Sequence, residues 1–93
     1  MAIINTLTWT PNTEKDMASY NVYRHIGSTA PVKIGNVIHP TATFTDTDTG
    51  TDGDYNYFVT AVDTSKNESV HSVEVVKTVN VNPPLAPVGL NVV

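Results

Sequence analysis

The chain has 93 residues, no cysteine and a net charge of −4. Such a length builds one small domain around a single two-layer core, and the missing cysteines exclude disulfides, thiolate metal sites and a cysteine nucleophile. Five Lys and Arg spread along the sequence form no basic patch, which argues against nucleic acid as a partner, and no apolar run is long enough for membrane insertion.

Charged residues are scarce at 15%, while Thr, Val and Asn are plentiful, a balance that favours strands. Met1 leads straight into Ala2-Ile3-Ile4 without a basic region or a long apolar run, so no secretory leader is read. An excised module with an added Met and a complete cytoplasmic product both fit that start. Residues 5–10 read as the first strand, with Leu7 and Trp9 inward and Pro11-Asn12 ending it. A polar loop over 12–18 leads to a second strand at 19–25, with Tyr20 and Val22 inward and Tyr23 on the opposite face. Gly27 and Pro31 bracket a turn, 32–35 forms a short strand, and Pro40 closes that region. Residues 41–45 form the next strand, with Ala42 and Phe44 inward.

A turn rich in Asp and Gly at 46–54 opens the clearest strand, 55–62. There Tyr55, Tyr57, Val59 and Ala61 fall at every second position, which marks one buried face. A tight turn at 64–68 precedes a last strand at 69–79. No helical periodicity holds over a useful window. Short strands at roughly 8–12-residue spacing give an all-β fold, an antiparallel sandwich.

The combination resembles the fibronectin type III family in the form common in bacterial secreted proteins and phage. Leu7 and Trp9, then Tyr20, Val22, Tyr23 and Arg24, then Phe44-Thr45-Asp46 with Tyr55, Tyr57, Val59, Ala61 and Asp63 carry the resemblance, and Asn67-Glu68-Ser69 fits its last turn. It covers about residues 5–80. It implies an immunoglobulin-like sandwich in the family's strand order B-C-C′-E-F-G, with a tyrosine corner at Tyr55 whose hydroxyl bonds back to the preceding loop. The family's opening strand A phrase is missing from the start and stands at the end, as Pro84-Leu85-Ala86-Pro87-Val88-Gly89-Leu90-Asn91-Val92. Residues 1–82 are thus expected to form a sandwich lacking its own strand A, and 83–93 a proline-led segment donated to a neighbouring module or subunit. The linker from Asn80 to Leu85 reaches roughly 20 Å, whereas the domain is roughly 30 Å along its strands, so self-completion is the poorer geometry.

The alternating aspartates Asp46, Asp48, Asp52 and Asp54 resemble a calcium loop, because hard cations want several carboxylate oxygens on a turning chain. The EF-hand pattern fails, since Gly50 occupies a ligand position and Val59 stands where the closing Glu belongs. A solvated turn is the simpler reading, and no metal or cofactor is expected. His25, His39 and His71 lack ligand spacing. No nucleophile elbow, H-E-x-x-H or Gly-rich phosphate loop occurs, so no catalytic residue is assigned. Asn67-Glu68-Ser69 also spells a glycosylation sequon, although turn geometry explains it better.

Tyr23 and Phe58 are expected to be neighbours on an outer sheet face. They serve there either as a cross-strand cover or as a platform for a polysaccharide or protein. With Leu85, Val88, Leu90 and Val92 they make the candidate interaction residues. The resemblance implies a non-catalytic structural or spacer module of an extracellular, cell-surface or virion protein, partnered by a neighbouring repeat or an identical subunit. The alternative is a carbohydrate- or protein-binding accessory module of a secreted bacterial enzyme.

Overall fold

A computed structural model describes residues 4–80 and 86–92. The described residues hold six strands and no helix. These are β1 (Asn5–Thr8), β2 (Met17–Ile26), β3 (Val32–Ile38), β4 (Thr43–Asp46), β5 (Gly53–Asp63) and β6 (Val75–Val79). They make two antiparallel sheets, one ordered β1-β4 and the other β3-β2-β5-β6.

Alternation on the two long strands builds the core. Tyr20 and Val22 of β2 and Tyr55 and Tyr57 of β5 are all buried, and Val79 of β6 closes the set. Side chains of the small sheet reach across to them. Leu7 packs against the Tyr55–Tyr57–Val79 cluster, as do Ile26 and Ile34, and Trp9 meets Tyr20 edge to face at 5.3 Å. The Tyr55 hydroxyl donates to Thr51 O at 2.8 Å, the back-bond that the family resemblance implied.

Several strand limits differ from the sequence reading, each because a partner extends or interrupts the ladder. β2 starts earlier because Met17 pairs with Asp63, and β3 runs on to Ile38 because that residue pairs with Ser19. β1 ends at Thr8 as a strand, although Trp9 N still donates to Ala42 O at 3.1 Å. The largest correction lies in the final strand, which is regular only over Val75–Val79.

Over 69–74 the chain follows β5 through serines. Ser69 N donates to Ala61 O and Ser72 N to Val59 O. In return Ala61 N donates to Ser69 Oγ and Val59 N to Ser72 Oγ. Residues two apart on β5 are therefore met by residues three apart on the other segment. That mismatch is bulge geometry, with hydroxyls replacing carbonyls in the ladder. It turns Val70 and Val73 out of the core, and they are 90% and 84% exposed.

Candidate functional site

The inward face of β5 changes character along its length. Tyr55 and Tyr57 are buried, but Val59 and Ala61, on the same face, are only half-buried. Leu7 of β1 and Trp9, just past its end, are half-buried as well, so Trp9 is not the closed core residue that its sequence position suggested. The cause is an apolar groove of about 310 Å³ between β1, the far half of β5 and the bulged segment 69–73. Its walls include Leu7, Trp9, Tyr57, Val59, Val70 and Val73, and no Asp, Glu, Lys or Arg lines it. A second, smaller recess continues along β1 past Ile4, Asn5 and Thr6 towards Val76 and Lys77.

One wall of that groove is an open sheet edge. Among the described residues β1 pairs with β4 alone. The Trp9 N to Ala42 O bond fixes which groups face which way. Backbone groups of an antiparallel strand alternate sides, so those of Leu7 face β4 and those of Thr6 and Thr8 face the open edge. Both buried side-chain polar atoms without a hydrogen-bond partner among the described residues lie here, Asn5 Oδ1 on β1 and Trp9 Nε1 just past its end. Buried polar groups are ordinarily satisfied, and both of these exceptions lie at or next to β1.

The far end is clamped shut. Arg24 Nη1 donates to both oxygens of Asp46, at 3.0 and 2.9 Å. Tyr57 donates to Asp46 Oδ2 at 2.7 Å, and Asn5 Nδ2 donates to the Tyr57 hydroxyl at 2.8 Å. β1, β2, β4 and β5 are thereby tied together. Burial alone would raise the Asp46 carboxyl, yet the hydrogen bonds from Tyr57, Arg24 and the Asp48 N–H bring it below the ordinary carboxylate value. Burial and the neighbouring Asp46 charge push Tyr57 up to about 12.

The aspartate-rich turn does not gather into a cation site. Asp46 is occupied by the clamp, Asp48 reaches Arg24, and Asp54 accepts from Thr78. Among the described residues no group of three or more acidic, His or Cys side chains is placed to hold a metal ion.

Tyr23 and Phe58 do meet, paired across β2 and β5. Their rings stack at 4.9 Å and 17°, and His71 packs on Phe58 at 4.6 Å. The ring faces are spent on one another rather than laid flat as a platform. A feature that sequence spacing did not show is the carboxylate beside them. Glu68 Oε2 accepts from Asn21, Tyr23 and Thr60, and those bonds, Thr60's first, hold its carboxyl below the usual range. This network covers the outer face of the large sheet.

The remaining candidate residues lie past the body. Val88, Leu90 and Val92 are 95%, 96% and 90% exposed, and residues 86–92 form no strand. Leu85 lies outside the described residues. Comparison with family models, with curated proteins and with solved structures finds no match.

Proposed function

We propose that the chain is a non-catalytic structural module of fibronectin type III kind. It serves as a spacer in an extracellular, cell-surface or virion protein, and a strand from a neighbour completes it. One observation carries this reading. An uncharged apolar groove beside an open strand edge occurs in the same chain as an uncharged segment with three exposed apolar residues at every second position. An open edge invites pairing or aggregation unless something covers it. The two antiparallel sheets, β1-β4 and β3-β2-β5-β6, support this reading, on which they would correspond to B-E and C′-C-F-G and strand A would lie beside β1.

The mass in solution tests the proposal. The chain is expected to sediment as a concentration-dependent assembly, and the double variant Val88→Asp, Leu90→Asp as single chains. Both substituted residues are almost fully exposed, so the variant should fold as before. Fully burying one Val or Leu is worth about 1.5–3 kcal/mol, so losing both should weaken association at least about 100-fold. Equal masses for the two proteins would refute donation through this segment.

A further inference from the structure

We infer that the groove beside β1 is the acceptor site, and that its occupant is residues 86–92 of a second copy of this chain, bound antiparallel to β1. This rests on the assembly reading above and adds the site, the register face and the partner.

Three observations select that occupant. The open edge offers the backbone groups of Thr6 and Thr8, which only another extended chain can pair in series. The groove floor is apolar and carries no formal charge, and so is the face formed by Val88, Leu90 and Val92. Residues 86–92 form no strand of their own and hold Val88, Leu90 and Val92 out in solvent, extended chain of the kind such an edge takes.

Direction makes the chain's own segment the poorer donor. β6 ends at Val79, paired with Gly53 at the first end of β5. Trp9 lies towards the other end, against Tyr20, which pairs with Ala61. The eight-residue step from Gly53 to Ala61 spans about 26 Å. A strand antiparallel to β1 starts at the Trp9 end, so the donor's own linker would first have to climb that whole distance. A second copy meets no such demand. The contact is head-to-tail and propagates into a ring or filament.

Pairing places Val88, Leu90 and Val92 inward and Asn91 outward, on the same face as the Thr6 and Thr8 side chains. The chain lacks cysteine, so engineered pairs report cleanly. Thr6→Cys with Asn91→Cys and Thr8→Cys with Asn91→Cys would each be made in the full chain. Ser28→Cys with Asn91→Cys serves as control, since Ser28 lies in the exposed turn after β2. Opposed residues across the edge sit about 5.5 Å apart at Cα, within disulfide reach. Under mild oxidation one of the two β1 pairs should give covalent dimers and longer chains at least tenfold faster than the control. A disulfide closed within single chains would overturn the second copy as occupant. Chains that assemble by light scattering, yet cross-link no faster than the control, would place the acceptor elsewhere and leave the assembly reading standing. A single-chain mass without cross-links would remove both.

Discussion

Replacing Asp46 with Ala should lower the melting temperature by at least about 12 °C. Asp46 has a side-chain exposure of 5% and its partner Arg24 one of 16%. The substitution leaves the Tyr57 hydroxyl and the Asp48 N–H without this acceptor, and Arg24 keeps only the Asp48 carbonyl and its exposed carboxylate. Breaking one half of a buried pair costs about 3–5 kcal/mol when the other charge is left buried, and the remaining Asp48 contact holds the loss near the low end of that range. For a domain of this size each kcal/mol moves the midpoint by roughly 4–8 °C.

The same clamp sets an acid limb. The folded-state value of Asp46 is depressed, so its contribution is fully present above the unfolded carboxylate value near about pH 4. It disappears as pH falls through the lower folded value. The stability gap between the native chain and Asp46→Asn should therefore be wide at neutral pH and close as the solution is acidified. Thermal unfolding of both proteins across that range measures it. A gap that ignores pH would mean the carboxylate's charge is not what the clamp uses.

Gly35→Ala should be the second most damaging change. Gly35 lies on β3 opposite Val22, under the ring of Phe44 from the other sheet. A methyl group there would stand 2.2 Å from Phe44 Cε1 and 2.7 Å from Cζ, so the ring must leave its place between the sheets. Overpacking of this kind costs about 1–3 kcal/mol. Phe44→Leu removes the offending ring edge. The double variant should then be more stable than the sum of the two single losses implies, because the residues share one contact. Strict additivity in chemical denaturation would show that Phe44 does not press on this strand.

The all-β class and the two-layer packing were legible because β2 and β5 alternate so regularly that Tyr20, Val22, Tyr55 and Tyr57 could face only one way. The final strand was misread over 69–74. Ser69 and Ser72, like Val70 and Val73, stand three residues apart, a spacing that a strand's two-residue alternation cannot carry and that here marks bulges. The clamp was invisible for a different reason. Arg24 and Asp46 belong to different sheets, and nothing local to either shows that Tyr57 brings them together. Asp46 looked like a cation ligand only while its neighbours in sequence were counted instead of its neighbours in space. The groove could not be read from Trp9 either, since an aromatic on an inward face looks the same whether or not a strand covers it.

Amide hydrogen exchange at Thr6 and Thr8, followed over a range of protein concentrations, meets the central claim most directly. Leu7, whose amide faces β4, serves as an internal reference that stays protected throughout. If a second copy's strand covers β1, Thr6 and Thr8 become protected as the chain assembles and lose that protection on dilution. Thr6 and Thr8 amides that exchange freely in the assembled protein, while Leu7 remains protected, would show that the open edge is never filled.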